Sequence, residues 1–266
     1  NRNLKERLDI ILTERNMFPS REKAKASVMA GLVYVDGQRV DKPGTSVDTE
    51  AEITVKEALC PYVSRGGLKL EKALELYGFS LENATAVDIG ASTGGFTDCM
   101  LQKGAKKVFA IDVGYGQLDW KLRNDPRVVN MEKTNVRYLD TDTVDSDVDF
   151  ISIDVSFISL KLIFPVAAKL LADDGSLVCL VKPQFEAGRS QVGKKGIVRD
   201  ASVHKEVIEN VIGYGKDNGL YSHWLTYSPV TGTKGNIEYL LYMKKTPAET
   251  EPDIDGTVED SHRTLV

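Results

Sequence analysis

The chain of 266 residues has little of what metal or redox chemistry needs. Its three cysteines, Cys60, Cys99 and Cys179, are scattered, and its three histidines, His204, His223 and His262, form no cluster. Neither set has the short spacings of a metal site, so no metal is expected. An odd, dispersed set of thiols also argues against a disulfide framework and predicts reduced cysteines in a cytoplasmic protein. Long apolar runs are missing: Leu177 to Val181 is typical of the longest, far short of the roughly 20 residues that span a bilayer. Nothing before the first expected helix reads as a signal peptide. No stretch is amphipathic enough for a membrane-lytic protein, and no membrane partner is expected. Positive charge is not in excess either, since the net charge is −5. The last 21 residues, 246–266, carry six acids and one arginine, so residues 1–245 balance at 33 basic and 33 acidic groups and are free to carry local basic patches.

What the chain does contain is a glycine-rich turn between apolar segments. Ala86 to Met100 reads AVDIGASTGGFTDCM. A short apolar run closes in Asp88, small residues follow at Gly90, Ala91, Ser92, Gly94 and Gly95, and Phe96 opens a helix. Strand, glycine turn and helix begin a doubly wound α/β domain, where glycine lets the backbone approach a ligand that a Cβ would strike. The spacing, D-x-G-x-x-x-G-G-F, is not the dinucleotide fingerprint, and no Gly-Lys-Ser/Thr follows to cradle a phosphate. An acid closing the first strand before such a turn resembles the motif with which methyltransferases hold S-adenosylmethionine. That resemblance implies Asp88, Gly90, Ser92, Gly94, Gly95 and Phe96 as cofactor residues. An ordinary βα turn is the alternative this stretch alone leaves open.

Before that turn the chain has a different character. Leu4, Leu8, Ile11 and Leu12 at helical spacing predict a helix from Leu4 to Asn16. Ser20 is a good cap for a second helix, Arg21 to Ala30, which Gly31 stops. Leu32 to Val35, a turn at Asp36-Gly37 and a return over Gln38 to Val40 read as a hairpin, and Ala51 to Val55 as a further strand. The paired helices, Ser20-Arg21 with Ala24 facing inward, and G-L-V-Y-V-D-G at 31–37 resemble the S-four RNA-binding domain of ribosomal protein S-four and pseudouridine synthases. Residues 1–58 are assigned to it. Basic side chains concentrate on its helices at Arg2, Lys5, Arg7, Arg21, Lys23 and Lys25, and such a groove reads A-form RNA through phosphates and shape. Charge alone would favour a solvated helix face.

Residues 59–63 read as a short linker, 64–245 as the second domain, and 246–266 as a polar, disordered tail. Ser64 to Gly67 caps a helix from Leu68 to Tyr77. Lys69 falls in its first turn, where the helix dipole disfavours a cation; such conflicts gather at functional sites, and a solvent-facing lysine is the alternative. Lys107 to Asp112 reads as the second strand, and its closing acid, 24 residues after Asp88, is placed to bind ribose hydroxyls. Arg127 to Glu132 is an edge-leaning third strand, and Val148 to Asp154 a near-continuous apolar fourth, as in buried parallel sheet. A helix over Leu160 to Leu171 precedes the fifth strand, Ser176 to Val181, which ends in Lys182. A loop with Arg189, Lys194, Lys195 and Arg199 follows, then a helix over Val203 to Gly213. Tyr221 to Tyr227 and Ile237 to Met243 make a terminal hairpin.

The fold class is therefore α/β, a doubly wound, mostly parallel sheet with a small α+β amino-terminal domain. Ligands of such sheets bind beyond the carboxyl ends of the strands. Asp88, Asp112, Asp154 and Lys182 stand at those ends, and Lys69 and Glu238 flank the sheet. The ordered set Lys69, Asp154, Lys182, Glu238 resembles the K-D-K-E tetrad of FtsJ-type ribose 2′-O-methyltransferases. Together with S-R-G-G-x-K at 64–69, D-V-S-F at 154–157, V-K-P-Q-F-E at 181–186 and G-N-I-E-Y at 235–239, the chain from Leu4 to Lys245 resembles the TlyA family, haemolysin-named rRNA methyltransferases. The resemblance implies S-adenosylmethionine as cofactor and ribosomal RNA or ribosomal subunits as partner. It also implies 2′-O-methylation of cytidine by that catalytic tetrad. Asp154 and Phe157 then join the cofactor residues, and Arg65, Arg189, Lys194 and Lys195 the RNA-binding ones.

The residue types suit that chemistry. A ribose hydroxyl is a poor nucleophile. Lys182 is the candidate general base, the nearby Lys69 ammonium would ease loss of its proton, and Asp154 and Glu238 would orient the lysines and the hydroxyl. Amino-group methylation would call for an N/D-P-P-Y/F turn where this chain has Asp154-Val-Ser-Phe, and carbon-five methylation for a thiolate that none of the three cysteines is placed to supply. A non-catalytic ribosome-binding factor with the same fold is the alternative from another class.

Overall fold

The computed structural model describes residues 4–18, 20–56 and 60–265. The chain divides between Leu59 and Cys60 into two units. In the first, the elements are β1 (Lys5–Arg7), α1 (Leu8–Glu14), α2 (Arg21–Met29), β2 (Val33–Val35), β3 (Gln38–Arg39), β4 (Ser46–Asp48) and β5 (Ile53–Val55). Leu8, Ile11 and Leu12 of α1 meet Ala24 and Val28 of α2 over Val33 and Val47. Ser20 caps α2, its Oγ accepting the Lys23 N–H at 3.2 Å. The β2–β3 hairpin turns at Asp36 and Gly37, with φ of 47° and 82°, the left-handed pair that a tight two-residue turn requires. The first helix is shorter than its spacing predicts. Lys5 to Arg7 pair antiparallel with β4 instead, and Leu4 is left 73% exposed. A polar triplet can still supply backbone hydrogen bonds to a sheet edge, which apolar periodicity does not register.

The second unit runs α3 (Gly66–Tyr77), β6 (Thr85–Ile89), α4 (Gly95–Gln102), β7 (Lys107–Ile111), α5 (Trp120–Arg123), β8 (Val128–Met131), β9 (Val148–Ile153), α6 (Phe164–Leu170), β10 (Leu171–Val181), α7 (Pro183–Glu186), α8 (Ala201–Asp217), β11 (Tyr221–Tyr227), β12 (Tyr239–Lys244) and α9 (Ile254–Leu265). Its seven-stranded sheet has the order β11-β12-β10-β9-β6-β7-β8. β10, β9, β6, β7 and β8 are parallel, and β12 runs antiparallel between β10 and β11. Alternation along the buried strands divides the apolar residues between two cores. Val87, Ile89, Phe109, Ile111, Ile151 and Ile153 pack with α6, α8 and α9. Ala86, Val108, Ala110, Phe150 and Leu180 pack with α3 and α4. The sheet is doubly wound because its central strands are largely apolar on both faces.

The carboxyl-terminal stretch departs from the expectation of disorder. Ile254–Leu265 is a helix, Val258 is fully buried in the core beneath α8, and Ser261 is buried as well. His204 of α8 meets His262 of α9 at 2.9 Å, and Tyr239 Oη lies 2.8 Å from Ser261 Oγ. A narrow stripe of Ile254, Val258, Ser261 and Leu265 suffices to dock the helix, even though six acids dominate the composition of the segment.

Candidate active site

The strand order reverses between β6 and β9, the switch point where the loops leaving two adjacent strands part and open a crevice. A cleft of about 390 Å³ lies there, lined by Gly90, Ser92, Asp112, Asn135, Asp154 and Phe157 among others. A larger cleft of about 450 Å³ is bounded by Arg137, Lys161 and Lys169, but it contains none of the strand-end acids. Chemistry therefore selects the smaller one.

Gly90 makes the crevice possible. It has φ +84°, and a Cβ there would stand 2.0 Å from the Asp154 carbonyl oxygen, so only glycine lets the loops after β6 and β9 touch. Asp112, just past β7, accepts the Ser92 N–H on Oδ2 and the Gly114 N–H on Oδ1, each at 2.7 Å. Each carboxylate oxygen keeps a further lone pair, and Asp112 lines the cleft. The remaining glycines serve packing. A Cβ on Gly94 would strike Leu122 and Leu118, and one on Gly95 would strike Ser64 Oγ. Gly94, Gly95 and the buried Phe96 thus fix α4 behind the cleft and do not line it.

Asp88 is not where a direct cofactor ligand would be. It is fully buried and accepts the Thr97 hydroxyl at 2.7 Å and the Ser152 hydroxyl at 3.1 Å. Burial pushes its carboxyl up to about 7, against the pull of those two hydroxyls and with a smaller push from the Asp154 charge. The residue ties β6 to β9 and α4, holding the glycine turn from beneath.

The four tetrad residues form two pairs. Lys182 Nζ lies 2.5 Å from Asp154 Oδ1 and 3.2 Å from Ser156 Oγ. Lys69 Nζ lies 3.3 Å from Glu238 Oε1, with Glu238 only 3% exposed. Lys69 is therefore matched by its own carboxylate. Gln184, two residues past Lys182, donates from Nε2 to Glu238 Oε2 at 2.9 Å and so ties the end of β10 to the start of β12. The sequence reading missed Gln184, although it lies in the quoted V-K-P-Q-F-E run. It missed Glu186 too, whose buried carboxylate accepts the Ser159 hydroxyl and the Leu160 N–H, and which burial pushes up.

Two aromatic rings stand at the rim. Phe157 has φ +64° and is 90% exposed, its ring 4.8 Å from that of Phe185. A left-handed, solvent-facing phenylalanine is costly in both backbone and burial, and such costs collect at working sites. The expected cap of α3 is absent: the helix starts at Gly66 with no side-chain cap, and Ser64 instead packs against Gly95. The segment before it is fastened to α4. The Val63 N–H donates to Asp98 Oδ2 at 2.8 Å, and Gln102 Nε2 donates to the Pro61 carbonyl at 2.9 Å.

The basic residues sort into two kinds. Arg7 and Arg21 both bind the fully buried Asp9 at 3.0 Å, which makes them part of the first unit's frame. The Arg7 guanidinium, and Arg21 with it, holds the Asp9 carboxyl down to about 2. Lys5, Lys23, Lys25, Arg65, Arg189, Lys194 and Lys195 have no carboxylate partner among the described residues. Arg2 lies outside the described residues.

A switch-point cleft floored by an acid at each of two strand ends, with lysine–carboxylate pairs nearby, defines a methyltransferase domain of Rossmann-like fold. The FtsJ-like methyltransferase model matches residues 62–245 and the S4 domain model residues 6–53, and the chain belongs to the FtsJ-like methyltransferase family with an amino-terminal S4 domain. It is similar to the Bacillus subtilis protein named "Putative rRNA methyltransferase YqxC", with 51% identity over 98% of this chain and 95% of that one. It is similar also to "16S/23S rRNA (cytidine-2'-O)-methyltransferase TlyA" of Mycobacterium tuberculosis, with 40% identity over 97% of each. The solved "Putative hemolysin from Streptococcus thermophilus" matches with TM-score 0.75 and 49% identity, over 98% of this chain and 97% of that. Among the described residues no helix is long and apolar enough to cross a membrane, and no metal-binding cluster is found.

Proposed function

We propose that the chain transfers a methyl group from S-adenosylmethionine to the 2′-hydroxyl of a cytidine in ribosomal RNA, presented naked or in a ribosomal subunit. The observation that carries this reading is the Lys182–Asp154 contact, because Asp154 also lines the switch-point cleft. A lysine is thereby fixed at the edge of a nucleoside-sized cleft, where a hydroxyl has to meet a methyl donor.

The cleft suits the cofactor. Gly90 lets the Asp154 loop close against the glycine turn that edges it, Asp112 offers carboxylate lone pairs for a ribose, and the wall formed by Val155, Phe157 and Ile158 suits an apolar face. Bound there, S-adenosylmethionine supplies a methyl group on an electrophilic sulfonium. The chain's own residues do the rest. Lys182, once its ammonium has given a proton to solvent, holds the target hydroxyl and takes its proton as the oxygen bonds the methyl carbon; Asp154 fixes Lys182, and the Lys69–Glu238 pair steadies the ribose. Much of the acceleration comes from holding the reacting groups in line. Lys5, Lys23, Lys25, Arg65, Arg189, Lys194 and Lys195 meet RNA phosphates, with Arg2 assigned the same role from sequence; Arg7 and Arg21 keep an exposed edge beside them. The protein works in the cytoplasm, where that substrate is made.

Methyl transfer from labelled S-adenosylmethionine to ribosomal subunits of a strain lacking the gene, followed by mass-spectrometric mapping, tests the reading. The expected product is a 2′-O-methylcytidine at a defined position. Label on a base, or none on RNA, overturns it.

A further inference from the structure

Two lysine-tipped turns meet beside Glu238, and one buried side chain fastens them together. The loop between α7 and α8 tightens at Gly193 to Gly196: the Gly196 N–H donates to Gly193 O at 2.9 Å, and the Gly193 N–H to Ile197 O at 3.0 Å. Lys194 and Lys195 are exposed at its tip. The loop between β11 and β12 tightens likewise at Gly232 to Gly235. The Gly235 N–H donates to Gly232 O at 3.1 Å and the Gly232 N–H to Asn236 O at 2.8 Å. Lys234, exposed at its tip, takes φ +59°, a conformation a side chain rarely adopts.

Asn236 lies between the turns, 2% exposed. Its Oδ1 accepts the Val198 N–H at 3.0 Å, and its Nδ2 donates to Gly196 O at 2.9 Å and Thr233 O at 3.0 Å. Lys234 Nζ adds a second tie, donating to Lys195 O at 2.8 Å. Glu238 is two residues further on, and Gly232 approaches it so closely that a Cβ there would stand 2.1 Å from Oε2. The loop that joins the lysine platform thus also walls in the carboxylate that holds Lys69.

We propose that Asn236 is a positioning residue that makes the platform of Lys194, Lys195 and Lys234 one rigid block with Glu238. An RNA phosphate gripped by the lysines is then held at a fixed offset from the Glu238–Lys69 pair. This rests on the reading of the chain as a ribosomal RNA methyltransferase and adds how its strand is aligned. Lysines on loose loops would give phosphate affinity without geometry; mounted on a fixed block, the same contacts orient the ribose. No shorter or apolar side chain can satisfy the Val198 N–H and the Gly196 and Thr233 carbonyls together.

The test is Asn236→Asp, which keeps the size of the side chain and the acceptor for the Val198 N–H but loses both donors. Binding to subunits from a strain lacking the gene is measured beside single-turnover methyl transfer at saturating protein and cofactor. The expected result is affinity within about threefold of wild type and a rate at least about tenfold lower. Removing Lys194 and Lys195 should lower both rate and affinity in the wild-type background, but affinity alone in a chain that already carries Asn236→Asp. Amide exchange gives a readout independent of turnover. Subunit binding should slow exchange over 193–198 and 232–239 in wild type, and only over 193–198 in the variant. Protection of both segments in the variant, or rate and affinity falling in proportion, overturns the proposal. A wild-type chain that shows the linked protection but transfers no methyl group counts instead against the methyltransferase reading and leaves the coupling supported.

Discussion

Among the described residues the Lys182 ammonium meets Asp154 and Ser156 and lies over the Phe185 ring, all near the cleft and none in the core, so its chemical role separates from its part in folding. Lys182→Ala is expected to lower single-turnover transfer by about 10²- to 10⁴-fold while RNA and cofactor still bind, since the loss falls on the transition state. Lys182→Arg keeps the charge and should be nearly as inactive, because a guanidinium does not give up its proton. Substantial turnover by that variant would make Lys182 an electrostatic residue only. Asp88 gives a pH-dependent prediction. Its carboxyl is near 7 when folded and near 3.8 when unfolded, so the folded state holds the proton more tightly between those values. Wild type should therefore lose stability relative to Asp88→Asn as pH rises from 4 to 7, on the order of 4 kcal/mol. Urea titrations of both proteins at several pH values check the sign; a gap that widened in the other direction would mean that Asp88 is ionised in the fold. The direction in which Asp88 faces was legible but unread. It shares a strand face with Ala86, and that face packs on α4. The sequence reading stopped at the acid's place on the strand end and did not follow the alternation through it. The lysine–carboxylate tetrad was legible because each member closes or flanks a strand. Which lysine would meet which acid was not, since that depends on sheet order.

Among the elements, the central strands announced themselves through apolar runs, while their order in the sheet comes from the structure. β1 and α9 did not, for opposite reasons. β1 contributes backbone bonds through Lys5, Glu6 and Arg7, which carry no apolar signal. α9 docks through so few apolar residues that its charge dominates any window. The docking is real burial, so Val258→Ala should cost about 2 kcal/mol, readable as a lower denaturation midpoint, and not the near-zero effect of a change in a loose tail. Asp9 anchors α1 in the same sense. Its carboxyl is held near 2 by Arg7 and Arg21, so the stability it adds is present above about pH 4 and disappears as pH falls toward 2. Asp9→Asn should abolish that acid-side loss in the isolated amino-terminal unit, which thermal melts at pH 2.5 and pH 6 would show.

Over the whole chain, the proposed function divides labour between the two units. Removing residues 1–58 should weaken binding to ribosomal subunits strongly and flatten its salt dependence, because lysines proposed to meet phosphates leave with them. Cofactor binding should persist, since Cys60 onward is tied to α4 by bonds internal to the second unit. Calorimetry with S-adenosylmethionine and filter binding with subunits would measure the two; equal RNA affinity with and without residues 1–58 would refute the division.

The reversed strand carries a consequence for the protein's birth. Synthesis proceeds from the amino terminus, and domains fold as their segments emerge. β11 can join the sheet only through β12, which is made after it and must slot in between β11 and the already emerged β10. Glu238 is the residue before β12. The carboxylate that holds Lys69 is therefore delivered only after all the parallel strands have been made, and a chain that has emerged only as far as β11 lacks the Lys69–Glu238 pair. On the proposed reading, the site is completed only after the five parallel strands of the sheet are in place.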